Sequence, residues 1–141
     1  MSSKFNLDKA VIEKNIKALK TYMSKNSIES FYISSFDPFL NEYVPMTDCH
    51  RYYITGFSGS VAEVLVPLKG NVKLYVDGRY HEQADIDCEG LVVDVVKVPQ
   101  NMSTSKFLLN DLAALAPKNI AIEAERTSLA FFNEFNNSAH V

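Results

Sequence analysis

The stretch VAEVLVPLKGNVKLYV, residues 61–76, decides the fold of this chain. Its two halves are apolar and rich in valine and leucine, and the trio Lys69, Gly70 and Asn71 separates them. Apolar runs on either side of a short turn that contains glycine are typical of a β-hairpin. We therefore predict an antiparallel hairpin with strands over residues 61–68 and 72–76.

Upstream of the hairpin, the pattern predicts one helix and two strands. Apolar side chains at steps of four, three and four put one stripe along a helix over residues 8–24: Ile12, Ile16, Leu19 and Met23. Asn6 or Asp8 is suited to cap the start of this helix. Short strands are predicted over residues 30–35 (SFYISS) and over residues 51–55 (RYYIT).

Downstream of the hairpin, helix and strand patterns alternate. Helices are predicted over residues 80–86, 106–115 and 128–137, and strands over residues 91–98 and 119–124. Such alternation predicts parallel neighbouring strands with helices packed on the faces of the sheet. Together with the hairpin, this gives an α/β fold with a mixed sheet, built as one domain over residues 1–141.

Composition limits the partners. With 14 Lys and Arg against 17 Asp and Glu, the net charge is −3, so nucleic acid and anionic membrane are not expected as partners. No apolar run approaches the roughly 20 residues that span a bilayer, and residues 1–8 lack the apolar core of a secretory signal. Cys49 and Cys88 are then expected as free thiols in the cytoplasm.

The candidate chemistry is sparse. The three histidines, His50, His81 and His140, lack the repeated short spacing of a metal site. Cys49 is flanked by His50 and Arg51, which could lower the pKa of its thiol and activate it as a nucleophile. The alternative, a small loop residue that helps to pack the start of the next strand, is favoured. The acidic neighbours of Cys88 are expected to raise its pKa. The glycine-containing run at residues 56–60 precedes a strand, which favours a structural turn over a phosphate loop. We therefore assign no catalytic residue, metal ligand or cofactor to this chain.

Two segments stand apart from the regular pattern. Residues 37–50 form a long loop with two prolines and several polar side chains, and loops of that length tend to be functional. At residues 77–80, Asp77 is suited to cap a following short helix, and Arg79 carries a planar charged fork for a carboxylate. In isolation, the favoured interpretation of this second segment is a plain turn closed by a salt bridge.

Several motifs occur together in one order. They are Asp37-Pro38, Asn41-Glu42-Tyr43-Val44, the run DCHRYYITGFSGS at residues 48–60, and Val76-Asp77-Gly78-Arg79-Tyr80 followed by Gln83-Ala84. In this respect the chain resembles the amino-terminal domain of the creatinase/aminopeptidase P family, most of all the three-domain Xaa-Pro aminopeptidases. It departs from the usual family pattern at His50, where arginine is common, and at residues 61–62, where Ala-Gly is common.

The resemblance implies a ribonuclease H-like mixed sheet with helices on both faces. It also implies that the catalytic domain, which has a pita-bread fold and holds two divalent metal ions, usually manganese, lies further along a longer chain. The full enzymes remove the N-terminal residue from peptides with proline second. Because this chain ends at Val141 directly after a predicted helix, we interpret it as a domain cut from such an enzyme. It is then not an enzyme by itself.

What remains for this domain is to shape the surroundings of the active site. In relatives the domain contributes to subunit contacts, as in a homodimer, and narrows access for the peptide substrate. We expect residues 37–50 and 77–80 to face the catalytic domain or a second subunit. The candidates are Arg51 and Arg79 for partner carboxylates, Tyr43 and Tyr80 for aromatic contacts, and Asp77 in the same turn. A prolidase or creatinase parent, or a non-enzymatic peptide- or protein-binding module, remains as an alternative.

Overall fold

The computed structural model describes residues 8–34, 49–59, 61–115 and 119–139. The described strands are β1 (Ser30–Ile33), β2 (Glu63–Pro67), β3 (Val72–Val76), β4 (Val93–Lys97) and β5 (Ile120–Ile122). The described helices are α1 (Lys9–Lys25), α2 (His50–Thr55), α3 (His81–Asp87), α4 (Thr104–Leu115) and α5 (Leu129–Ala139). Single turns of 3-10 helix lie at Gly78–Tyr80 and Ala124–Arg126.

The five strands form one mixed sheet in the order β4-β3-β2-β1-β5. The predicted hairpin is confirmed, because β2 and β3 pair antiparallel with Val64 opposite Leu74. Strand β2 also pairs antiparallel with β1, with Tyr32 opposite Leu65. The outer pairs, β3 with β4 and β1 with β5, are parallel.

Side chains alternate between the two faces of the sheet, as expected for strands covered on both sides. One face carries Val64, Leu74 and the other residues of a core that includes side chains of α1, α2 and α3. The opposite face carries Tyr32, Leu65 and Tyr75, which pack with α4 and with Phe131 of α5. The predicted α/β class, with a mixed sheet and helices on both faces, is therefore confirmed.

Helix α1 follows its predicted stripe. Ile12, Ile16 and Met23 are buried against the sheet, and Leu19 is partly buried beside them. Asp8 caps the helix by accepting a hydrogen bond from the backbone N–H of Ala10 at 3.3 Å. Helix α1 is the longest of the helices in the described ranges, and none of them is both long enough and apolar enough to cross a lipid bilayer.

The strand predicted over residues 51–55 is wrong, because these residues belong to helix α2. Tyrosine, isoleucine and threonine favour strands, but the burial of Arg51, Tyr52, Ile54 and Thr55 follows helical spacing. Gly56 ends the helix in the left-handed conformation at φ 74°, where its backbone N–H bonds to the carbonyl of Tyr52. Glycine directly after the segment was the sequence signal for a helix end.

The remaining boundaries move by a few residues. Helix α4 starts two residues before its predicted start, and β2 and β5 are shorter than predicted. The predicted loop over residues 37–50 lies outside the described residues except for Cys49 and His50. Tyr43, within that loop, lies outside them too.

Leu108 and Leu115 give a matched test of the core under α4. Leu108 is fully buried, whereas Leu115 on the same helix is 49% exposed. We expect Leu108→Ala to lower the free energy of unfolding by about 2–5 kcal/mol, because it leaves a cavity in a packed core. Leu115→Ala should change it by less than about 0.5 kcal/mol. Urea denaturation of both variants measures the difference, and equal losses would contradict the described packing.

Candidate functional site at the carboxyl edge of the sheet

The strand directions bring the polar groups of this domain to one edge of the sheet. Because β1 and β3 both run antiparallel to β2, and β4 and β5 run parallel to β3 and β1, four strands point the same way. Their carboxyl ends therefore meet at one edge, where Asp77, Lys97 and Glu123 lie. In open α/β sheets this edge is the usual place for ligands.

At this edge, residues 77–80 form the predicted capped turn. The Asp77 carboxylate accepts a hydrogen bond from the backbone N–H of Arg79 at 2.9 Å, and Arg79 Nη2 donates to Asp77 Oδ2 at 2.8 Å. Hydrogen bonds from the Arg79 side chain hold the pKa of Asp77 below its usual value. The capping role predicted for Asp77 is confirmed, and so is the salt bridge of the plain reading.

Arg51 lies inside the domain, only 2% exposed. Its guanidinium donates to the carbonyl of Gly59 at 2.6 Å and to the carbonyl of Ala62 at 3.3 Å. Burial lowers the pKa of the Arg51 side chain from its usual value. Within the described structure, Arg51 thus holds the segment that leads into β2, and contact with a partner carboxylate remains a prediction.

Ring contacts join Arg51 to the turn at residues 77–80. The Arg51 guanidinium lies 5.5 Å from the centre of the Phe57 ring. Phe57 meets Tyr80 edge to face, with ring centres 5.7 Å apart and planes at 85°. The Arg79 guanidinium lies over the Tyr80 ring at 5.2 Å. We call the series Arg51, Phe57, Tyr80 and Arg79 the arginine–aromatic ladder, and it links the buried arginine to the 65% exposed side chain of Arg79.

An open cleft of about 890 Å³ borders the exposed end of this ladder. Its walls come from the ends of β3 and β4 and from the start of α4, and include Asp77, Arg79, His81, Lys97, Gln100 and Ser103. Lys97 pairs with Asp85 at 2.7 Å, with both side chains about half exposed. Two basic side chains of the cleft, Arg79 and Lys97, thus form ion pairs with nearby aspartates. A cleft lined by such charged groups is suited to contact a polar protein surface.

In the ranges that the structure covers, no three His, Cys, Asp or Glu side chains come together in a way that would hold a metal ion. Burial raises the pKa of Cys88 to about 12, with smaller effects from Asp87 and Asp85. The predicted direction is confirmed, although desolvation outweighs the acidic neighbours. Cys49 is buried and free at the start of α2.

Phe57 and Gly59 belong to this site, although the sequence pattern predicts only a structural turn at residues 56–60. Gly59 lies against the rings of Phe57 and Tyr80, so that an added Cβ would meet Phe57 Cε2 at 2.7 Å and Tyr80 Cδ1 at 2.9 Å. The signal available in the sequence was a phenylalanine between two glycines, where a turn needs no aromatic side chain. His50 and Glu123 also pair across this edge.

Known proteins of one family are similar to this chain in sequence. The family model described as "Creatinase/Prolidase N-terminal domain" matches residues 15–140. Xaa-Pro aminopeptidase 1 of Dictyostelium discoideum is 37% identical over 83 residues, covering 59% of this chain and 13% of its own length. The probable Xaa-Pro aminopeptidase P of Verticillium alfalfae is 28% identical over 138 residues, covering 94% of this chain and 22% of its own length.

Among solved structures, an X-prolyl aminopeptidase from Caenorhabditis elegans superposes with a TM-score of 0.70 at 19% identity. The match covers 93% of this chain and 22% of that one, which is described as a cytosolic enzyme with a di-nuclear active site. At this identity the likeness shows the fold alone. In sequence, the chain spans about a fifth or less of the length of the two relatives from Dictyostelium discoideum and Verticillium alfalfae.

Gly59 and Gly78 give a matched test of the ladder. We expect Gly59→Ala to destabilise the chain by about 1–3 kcal/mol, because the new methyl group overlaps the rings of Phe57 and Tyr80. Gly78→Ala should be nearly neutral, since no atom lies within 4 Å of its added Cβ. Thermal unfolding compares the two variants. If Gly59→Ala proved as stable as Gly78→Ala, the close approach of glycine to the rings would be wrong.

Proposed function

We propose that this chain, which belongs to the creatinase/prolidase N-terminal domain family, is the non-catalytic amino-terminal domain of an Xaa-Pro aminopeptidase. The family match over residues 15–140 is the observation that carries the proposal. The names of the relatives favour an aminopeptidase parent. The parent would remove the N-terminal residue from peptides with proline second.

The described residues support a role in contact more than in chemistry. Cys88, with its raised pKa, is poorly suited to act as a nucleophile near neutral pH. The metal chemistry of the parent, two divalent ions that activate a water, would belong to its catalytic domain. In the part of this domain that the structure describes, no group of three His, Cys, Asp or Glu side chains is placed to hold a metal ion.

The arginine–aromatic ladder supports the surface through which contact would occur. Its inner end is held by backbone carbonyls around Gly59, and its outer end places Arg79 beside an open cleft. Such a rigid support lowers the entropy lost when a long side chain is fixed in an interface. We propose that Arg79, Tyr80 and Asp77 meet the catalytic domain of the same chain or a second subunit of a homodimer, and so shape access for the peptide substrate. Arg51 and Tyr43 remain candidates for the same contact.

A prolidase or creatinase parent would use the same domain, since the family model covers creatinase and prolidase together. The relatives from Dictyostelium discoideum and Verticillium alfalfae are named as an Xaa-Pro aminopeptidase and a probable one. Their names favour an aminopeptidase parent. We also propose a cytoplasmic location, supported by the cytosolic description of the Caenorhabditis elegans neighbour.

The non-catalytic assignment has a direct test. The purified 141-residue chain, supplied with manganese, should not cleave a peptide whose second residue is proline. The full-length parent assayed in parallel serves as the positive control. Turnover by the isolated chain that a chelator abolishes would refute the assignment.

The contact surface is tested by Arg79→Ala in the full-length protein. Because Arg79 is exposed and pairs locally, its loss should change the stability of this domain by less than about 1 kcal/mol. If Arg79 binds a carboxylate across an interface, the loss there should be about 2–5 kcal/mol, seen as subunit dissociation or as a fall in kcat/KM.

Two further variants make the Arg79 test specific. Lys69→Ala removes an exposed positive charge at the hairpin turn on the opposite edge of the sheet. It should leave both the subunit association and kcat/KM unchanged. Arg79→Lys keeps the charge but lacks the planar fork, so it should restore only part of the effect. Unchanged activity, oligomeric state and stability in Arg79→Ala would together contradict the proposed contact.

A further inference from the structure

Glu63 is a buried carboxyl group for which the proposed function has no use. It is the first residue of β2, and it is only 6% exposed. The rest of this central strand is apolar. Burying a carboxyl group costs free energy unless hydrogen bonds or an opposite charge compensate for it.

The contacts of Glu63 compensate for a negative charge only in part. Oε1 accepts hydrogen bonds from the Tyr32 hydroxyl at 2.7 Å and from Ser105 Oγ at 2.9 Å. Oε2 is buried and has no hydrogen-bond partner, and no ion pair in the described part of the chain includes Glu63. A proton on Oε2 would therefore remove the uncompensated charge and leave both hydrogen bonds to Oε1 in place.

Other titratable groups approach Glu63 from three further elements. Tyr75 of β3 lies opposite Glu63 in the sheet, and its hydroxyl donates to Asp111 of α4 at 2.9 Å. Glu123, directly after β5, is close enough to act electrostatically on the tyrosine of β1 that donates to Glu63. Arg126 lines the same small cavity as Glu63, and no ion pair joins the two among the described residues. The neighbouring acidic groups thus add to the cost of ionising Glu63.

These surroundings favour the protonated form. Burial raises the pKa of Glu63, and the hydroxyl groups of Tyr32, Ser105 and Thr104 oppose this only in part. A glutamic acid in an unfolded chain titrates near pH 4.3, so the folded chain holds this proton more tightly than the unfolded chain does. The stability that the proton contributes is fully present below about pH 4.3, and it is lost as the pH rises through the higher pKa of the folded chain.

The effect of ionisation would fall on the start of α4. Ser105, in the first turn of α4, is one of the two donors to Glu63. Its neighbour Thr104 lines the open cleft that Arg79 borders. Water stabilises a carboxylate, and it can reach a buried one when the turn that covers it opens locally. Glu63 therefore connects the charge at the centre of the sheet to one wall of the cleft.

We propose that Glu63 is a proton-dependent clamp, which fastens the first turn of α4 to β1 and β2 when protonated and releases that turn when its proton passes to solvent. Release would loosen the wall of the cleft, so that contact at the cleft would weaken as the pH rises. That last effect rests on the proposed function. The clamp itself does not, because it depends on the burial and the hydrogen bonds of Glu63 alone.

The test follows the side-chain carboxyl carbons of glutamate by NMR across pH, in the 141-residue chain labelled with 13C. One resonance should titrate with a midpoint above about pH 4.3, and it should be absent from Glu63→Gln. The amides of Lys106 and Phe107 bond to Ser103 in the first turn of α4, and their hydrogen exchange reports its opening. The ratio of their exchange rates, unaltered chain over Glu63→Gln, should rise with pH by up to about tenfold for each unit by which the pKa is raised.

Two further variants make this test specific. Glu82→Gln removes an exposed carboxyl group on α3, at the opposite face of the sheet, and should leave the exchange of the α4 amides as in the unaltered chain. Ser105→Ala removes a donor that favours the ionised form, and should move the Glu63 midpoint to still higher pH.

A Glu63 midpoint at or below about pH 4.3, or an exchange ratio that does not change with pH, would overturn the proposal. Should Glu63→Gln fail to fold, the resonance that moves in Ser105→Ala identifies Glu63, and its midpoint still decides. Both measurements use this domain alone, so their outcome is separate from that of the Arg79 variants.

Discussion

Strand β2 is the constraint on which the rest of the described structure depends. It lies at the centre of the sheet and is covered on both faces, with Val64 and Val66 in one core and Leu65 in the other. It is also the one strand of this sheet that runs against the others. Because its neighbours must then run antiparallel to it, the carboxyl ends of the other four strands gather at the edge where β2 begins.

This arrangement explains why polar groups that are far apart in sequence lie along the same edge of the sheet. Ser34 follows β1, Asp77 follows β3, and Glu123 follows β5, yet all belong to the same edge. The segment that enters β2 passes through that edge too, and Arg51 fixes it there through the carbonyls of Gly59 and Ala62. At the opposite edge, the described link between β2 and β3 is only the short hairpin turn at residues 68–71.

Much of the fold was predictable because its signals are local. The stripe of α1, the hairpin and the alternation of the second half each follow from side chains a few positions apart. The segment at residues 51–55 was not, because the β-propensities of Tyr52 and Ile54 compete with burial at helical spacing that only the folded chain defines. In this segment Gly56 was the better sequence signal, because a glycine that can adopt a positive φ is typical of the end of a helix.

The site was predictable in part, and Arg51 and Arg79 show where prediction stopped. The sequence put both in one class, as arginines suited to a partner's carboxylate. The structure gives them different surroundings, since Arg51 is buried against backbone carbonyls and Arg79 stands at the rim of a cleft. Burial depends on contacts between distant segments, so no local pattern separates the two residues. Glu63 is the opposite case, because an acidic residue inside an apolar strand is visible in the sequence. What the sequence does not show is how that carboxyl group is accommodated, because the hydroxyl groups that donate to it, Tyr32 of β1 and Ser105 of α4, come from segments far away along the chain.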